Sequence, residues 1–255
     1  MIEKITSLNN KTVKLASSLS RKNSRLKEGL FVIEGDSLVK EAYKSGIKIK
    51  YLFVNENLTS EYFDSFGVYA QQRFLCSEAV MNKISELDNA PGVIACGVIE
   101  YKNASGIKKG KYILLEDIQD PGNVGAIIRS AAAFSLDGVV ICGGCDIYSG
   151  KVLRGSMGAC LNIPVFQFSD TKDAVTALKK KGNKVYAAIL NESARKIGEY
   201  DFEGGVCIAI GNEGNGLKEE TVSVCDGGLY IPISDKAESL NAAVAASICI
   251  WEITK

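Results

Sequence analysis

Histidine is absent from this chain of 255 residues. That removes Ser-His-Asp and Cys-His catalysis and every histidine-ligated metal site. A general base would have to be a carboxylate, Lys, Tyr, Cys, water or something unusual. Proline is scarce as well, and four residues do not indicate a Pro-rich linker or tail. No apolar run approaches the roughly 20 residues that span a bilayer. The opening Met1-Ile-Glu-Lys-Ile lacks the apolar core of a secretion signal. A cytoplasmic protein with no membrane attachment is expected. Net charge is missing too: thirty basic residues balance thirty acidic ones, so the chain as a whole advertises no polyanionic partner.

What is present has the make-up of a globular protein, 46% hydrophobic and 24% charged. The charge balance hides an asymmetry. Residues 1–27 carry seven bases (Lys4, Lys11, Lys14, Arg21, Lys22, Arg25, Lys27) against Glu3 alone, so a surplus of six there faces a deficit of six elsewhere. A basic N-terminus on an acidic body suggests a phosphate-facing patch; a solvated helix face is the alternative. Eight cysteines are scattered through apolar runs such as Val206-Cys207-Ile208, which fits buried reduced thiols better than disulfides. Cys142 and Cys145 form a lone CxxC, with no second pair to complete a zinc site.

The chain divides near Tyr101–Lys111, a polar, basic, glycine-bearing stretch with linker composition. Domains over 1–104 and 111–255 are expected. In the first, Leu8, Thr12, Leu15 and Leu19 recur at helical spacing with Lys11 and Lys14 off that face. Strands follow at Leu30–Ile33, Tyr51–Val54, Arg73–Cys76 and Gly92–Gly97, giving a small α/β sandwich. The second half alternates apolar strands with helices, the pattern of a parallel sheet covered on both faces. Its ligands should bind beyond the C-terminal ends of the strands.

Three post-strand loops could carry chemistry there. Glu116–Asn123 is polar and feeds a helix whose apolar face is Val124, Ile127, Ile128 and Ala131, with Asp120 or Asn123 as cap. Arg129 falls off that face, either in a surface ion pair or as an anchor for phosphate or carboxylate. Gly211-Asn212-Glu213-Gly214-Asn215-Gly216 has three glycines that permit close backbone approach, and it is neither a Walker A loop nor a GxGxxG. Ile231-Pro232-Ile233 leads through Ser239-Leu240-Asn241 into a last helix, where Ser234 or Ser239 could cap and Leu240, Val244, Ile248 and Trp251 form an expected core stripe.

Together these strings resemble the three motifs of the SpoU-type RNA ribose methyltransferases of the SPOUT superfamily: Gln119 to Arg129, Gly211 to Leu217, and Ile231-Pro232-Ile233 with Ser239-Leu240-Asn241. Val152–Ala159, leading to Ile163-Pro164-Val165, also fits. The first half resembles that family's L30e-like substrate-binding domain through Arg21, Arg25, Gly29 and Phe31–Gly35. The resemblance implies an α/β fold with a parallel sheet and a trefoil knot, S-adenosylmethionine as cofactor, and a homodimer with residues of both subunits near the site. It implies cofactor contacts from Gly211, Ile231 and Leu240, and catalytic-site positions at Asn123, Arg129, Glu213, Ser239 and Asn241. Lys11, Lys14, Arg21 and Arg25 would contact RNA.

The implied reaction needs no metal, because a sulfonium methyl is already electrophilic. A guanidinium stays protonated at neutral pH, which favours Arg129 as a phosphate clamp; a neutralised Arg129 acting as base is the alternative. Glu213 would hold Arg129 or Asn123, or cap a short helix at Leu217. Ribosomal RNA is the first expectation for the substrate, transfer RNA the second, and both housekeeping and resistance-type enzymes fit. A non-catalytic RNA-binding assembly factor is the reading from a different class.

Overall fold

The computed structural model describes residues 3–58, 70–191 and 194–255. The chain forms two compact units: Met1–Glu100 with Tyr148–Leu161, and Tyr101–Ile147 with Asn162–Lys255. Residues 148–161 fall inside the span 111–255 expected for the second domain, yet they pack with the first unit.

The first unit is built on a mixed five-stranded sheet of β1 (Glu3–Ile5), β2 (Leu30–Glu34), β3 (Ile49–Asn55), β4 (Ala70–Cys76) and β5 (Val93–Val98), in the order β1-β4-β3-β5-β2. β2 lies at an edge, yet all five of its residues are buried. An apolar edge left open would invite pairing with another chain. Residues 148–161 cover it: the Tyr148 ring lies 4.6 Å from that of Phe31, and Arg154 Nη1 is 3.8 Å from Glu34 Oε1. Glu34 also accepts from the Ser85 hydroxyl and the Glu86 N–H.

The first helix starts later than the leucine spacing suggests. The side chain of Asn10 caps Lys11–Ser18 by accepting from the Thr12 N–H, so Leu8 lies outside the helix and is 45% exposed. Val13, Ala16 and Leu19 enter the core instead, beside Phe53, Phe74 and Ile94. Lys11, Lys14 and Arg21 are exposed. Arg25 is not, which corrects its expected place among the RNA-facing bases. It is 4% exposed, and its Nη1 donates to the carbonyls of Leu19 at 2.7 Å and Ser20 at 2.8 Å. Those carbonyls end the first helix and have no intrahelical donor, so Arg25 is committed to the fold.

The second unit holds seven parallel strands: β6 (Lys111–Glu116), β7 (Gly138–Cys142), β8 (Val165–Phe168), β9 (Asn183–Ala188), β10 (Arg195–Lys196), β11 (Gly205–Ile210) and β12 (Gly227–Tyr230), ordered β10-β12-β9-β11-β6-β7-β8. Tyr112, Leu114, Val140, Cys142, Val185, Cys207 and Ala209 pack with Ala174, Val175 and Leu178 of the helix Thr171–Lys180. The alternating residues Ile113, Val139 and Ile208 are equally buried. The helices Pro121–Ala133 and Ala242–Thr254 pack on each other and on β6, β7 and β11. β12 pairs with β9, so residues 231–241 must cross the ends of β9 and β11 to reach the last helix. No helix among the described residues is long and apolar enough to cross a membrane.

The face Val124, Ile127, Ile128 and Ala131 is buried as expected. The stripe expected for the last helix is not. Val244 is 48% and Trp251 55% exposed, while Ala242, Ala243, Ala246, Cys249, Ile250 and Ile253 are buried. Apart from Ser247, Glu252 and Thr254 this helix is apolar, so periodicity selects its inward side only weakly; Ala246 and Cys249 pack inward together with Ile250 and Ile253.

Arg25→Ala leaves two helix-terminal carbonyls without their charged donor and should lower unfolding stability by about 2 kcal/mol. Arg21→Ala, at an exposed site, should cost less than about 0.5 kcal/mol. Urea denaturation of the two variants tests the assignment, and equal stabilities would contradict it.

Candidate active site

The three loops singled out in the sequence leave the C-terminal ends of β6, β11 and β12. Asp120 caps the helix Pro121–Ala133 by accepting from the Asn123 N–H at 2.8 Å, with Pro121 at the first helical position, where its fixed φ is already suitable. The second loop closes on itself. Asn212 and Gly216 exchange N–H···O bonds of 3.0 and 2.9 Å, and Asn212 Oδ1 accepts from the Gly214 and Asn215 N–H groups, each at 3.0 Å. This closure brings the loop ends so near that a Cβ on Gly211 would lie 2.1 Å from the Gly216 carbonyl carbon. Only glycine fits at position 211.

A chain of side chains joins the loops. Asn241 Oδ1 accepts from the Ala243 N–H at 2.9 Å and the Val244 N–H at 3.3 Å, capping the last helix. Its Nδ2 is thereby directed outward and donates to Asn123 Oδ1 at 2.9 Å. Asn123 Nδ2 in turn donates to Glu213 Oε1 at 2.9 Å. The Glu213 carboxylate also receives the N–H groups of Gln119 and Asp120, each at 3.2 Å, just ahead of a helix N-terminus that favours negative charge. Partial desolvation works against the charged form of Glu213, but the bonds from Asn123 and from backbone N–H groups outweigh it and hold the carboxyl below the usual carboxylate range.

Beside this relay lies a cavity of about 840 Å³ whose walls include Gly211, Ile231, Leu240, Glu213, Ser239 and Asn241. Asn123 does not line it and reaches it through Glu213 and Asn241. Arg129 is exposed and makes no hydrogen bond or ion pair among the described residues; Glu213 engages Asn123 and not Arg129. The helix Glu219–Val224 has Lys218 at its N-cap and no side-chain cap, so Glu213 does not cap it. The last helix is capped by Asn241 rather than by Ser234 or Ser239. Sequence reasoning missed the cavity wall Ala188–Asn191, because its apolar start reads as more of β9. It also missed Asn212, whose short polar side chain before glycines is the usual signature of such a turn.

A carboxyl held low in the folded state contributes stability that is present above its unfolded value and fades as pH falls through the folded one. The relay therefore holds throughout the neutral range and releases only in acid. Asn123→Ala should bring the Glu213 carboxyl back up towards the ordinary value. Titration of the Glu213 side chain by NMR in the two proteins measures this, and an unmoved midpoint would show that the Asn123 bond does not matter.

Residues 110–251 match the SpoU rRNA Methylase family and residues 10–95 the MRM3-like substrate binding domain. The chain is 34% identical over 254 residues to the 23S rRNA (guanosine(2553)-2'-O)-methyltransferase RlmP of Bacillus subtilis, covering 99% of each protein. It is 27% identical over 256 residues to an uncharacterized tRNA/rRNA methyltransferase of Synechocystis, covering 98% of this chain and 93% of that one. Among solved structures, the AdoMet-bound rRNA methyltransferase from Sinorhizobium meliloti superposes with a TM-score of 0.90 at 29% identity, over 99% of this chain and 97% of that one. With one family spanning more than half of its length and a relative matched from end to end, the chain belongs to the SpoU rRNA methylase family.

Proposed function

We propose that this methyltransferase transfers the methyl group of S-adenosylmethionine to a ribose 2'-hydroxyl of large-subunit ribosomal RNA, in the cytoplasm and as a homodimer. The observation that carries the reading is the cavity at the ends of β9, β11 and β12, edged by the Glu213–Asn123–Asn241 relay. Its lining suits the cofactor. Gly211 and Gly216 bring bare backbone to the wall, Leu217, Ile231 and Leu240 offer apolar surface, and Glu213 and Glu219 are acidic with no Lys or Arg among the lining residues. A cavity of that charge suits a cationic ligand without phosphate. When bound, the cofactor supplies an electrophilic methyl group.

The protein's part is positioning. Asn123, Asn241 and Glu213 hold one another at fixed angles, and Ser239 stands exposed at the rim. Pre-set polar groups cost no reorganisation at the moment of reaction. Arg129 presents its five donors as a clamp for the phosphate next to the reacting ribose. Its lack of a partner among the described residues fits a site completed by a second copy. So does the surface beside it: exposed Val244 and Trp251, with the Trp251 ring 5.5 Å from that of exposed Phe134. A trefoil threading of residues 231–241 and the last helix is part of the same proposal. Lys11, Lys14 and Arg21 are the exposed bases that would meet RNA phosphates, and all eight thiols are free, in keeping with a reducing compartment. Ribosomal RNA is preferred over transfer RNA because the relative matched end to end is named for 23S rRNA.

Incubating the protein with labelled S-adenosylmethionine and deproteinised total RNA, then mapping the labelled nucleoside, tests the reaction. A 2'-O-methylated nucleoside in the large-subunit RNA is expected, and label confined to tRNA or on a base would overturn the reading. Arg129→Ala should retain cofactor affinity and lose about a hundredfold or more in turnover; retained turnover would remove Arg129 from the site. Neutralising Lys11, Lys14 and Arg21 together should flatten the dependence of log affinity on log salt by about two to three and leave S-adenosylmethionine binding unchanged. An unaltered salt slope would place the RNA elsewhere.

A further inference from the structure

Glu116 is a buried charged side chain that none of the roles above uses. It ends β6, is 1% exposed, and does not line the cavity. Its Oε1 accepts the Thr221 hydroxyl at 2.6 Å and its Oε2 the Lys218 N–H at 2.9 Å. The next residue, Asp117, takes the Lys218 ammonium at 2.6 Å on its carboxylate and the Asn212 Nδ2 at 2.9 Å on its carbonyl. Two consecutive residues of β6 and its loop thus grip both ends of the segment 212–218, about a hundred positions further along the chain.

That segment and the short helix after it form one wall of the cavity: Gly211, Leu217, Glu219 and Val222 face it. The helix Glu219–Val224 has no cap from its own N-cap side chain, and Glu116 anchors its start by accepting the N–H of the N-cap residue Lys218 and the hydroxyl of Thr221. Thr221 lies on the side of this helix away from the cavity, 1% exposed. Asp117 has φ 53°, a left-handed conformation that L residues avoid and that persists where surrounding contacts over-determine it. A carboxylate is the group this place requires. Both partners are donors, and an amide would turn its own NH2 against one of them.

We propose that Glu116 is a positioning residue for the cofactor: it sets the spacing of the loop 211–217 and the seat of the helix 219–224 from behind, and so tunes S-adenosylmethionine affinity without touching it. This rests on the reading of the cavity as the cofactor site. Calorimetric titration of the full-length chain with S-adenosylmethionine, alongside methyl-transfer kinetics, tests it. Glu116→Gln and Thr221→Val should each raise Kd about tenfold, while kcat at saturating cofactor stays within about threefold. Thr221→Ser keeps the hydroxyl and should stay within about twofold of the parent. The double variant Glu116→Gln/Thr221→Val should bind about as well as the weaker single one, because both remove the same contact. Unchanged Kd in the folded single variants overturns the proposal. So does a fall in kcat at unchanged Kd, or a Thr221→Ser protein as weak as Thr221→Val. If Glu116→Gln does not fold, the Thr221 pair decides. A parent chain that binds no S-adenosylmethionine would refute the cavity assignment itself, which is distinct from a loss confined to the variants.

Discussion

The candidate site depends on one shared carboxylate. Parallel strands end side by side, but the loops that leave them are separated in sequence and have no hairpin to hold them together. Glu213 solves this by accepting from the backbone of the first loop and from Asn123 at once, while Asn123 accepts from Asn241 of the third. Each amide has a donor end and an acceptor end, and the helix cap made by Asn241 fixes which way it points. The orientation then propagates without ambiguity to Glu213. Capping and site assembly are therefore one interaction, and the last helix cannot shift its N-terminus without disturbing the relay.

Around that relay the loops are shaped by close approach. Gly211 is a position where backbone meets backbone, and the Asn212 turn makes it so. The first unit shows the same economy with an arginine: two helix-end carbonyls claim Arg25, whereas Lys11, Lys14 and Arg21 stay exposed.

Much of this was legible in the sequence because it obeys local rules. The helix after Asp120-Pro121 announces its cap, its first turn and its buried face. The strands of the second unit are continuous apolar runs, and the loops after β6, β11 and β12 supplied every residue of the relay and part of the cavity wall. What stayed illegible had a non-local cause. The inward side of the last helix depends on which neighbour it meets, and a mostly apolar helix gives periodicity little to choose between. The expected stripe through Val244 and Trp251 is its outward face. Likewise, the fate of Arg25 turns on the carbonyls of Leu19 and Ser20 at the end of the preceding helix, and residues 148–161 belong with β2 because that edge needs covering. Glu116 reads as the first residue of a polar loop, yet it ends β6 and its partners lie beyond position 217.

The absence of histidine acquires a physical meaning in this setting. Histidine is the side chain whose ordinary pKa lies near neutrality. In the second unit, the groups whose titration is displaced move away from that range. Glu213 is drawn down by its donors despite desolvation, Lys218 is pushed up by its bond to Asp117, and burial drives Cys142 to about 12 and Cys225 to about 11. The polar groups that orient the site are neutral amides and a carboxylate whose charge is secured by its donors. A site of this kind keeps one protonation pattern as pH varies around neutrality. No side chain in the relay is poised to exchange a proton there, so what the relay offers is a fixed orientation of polar groups.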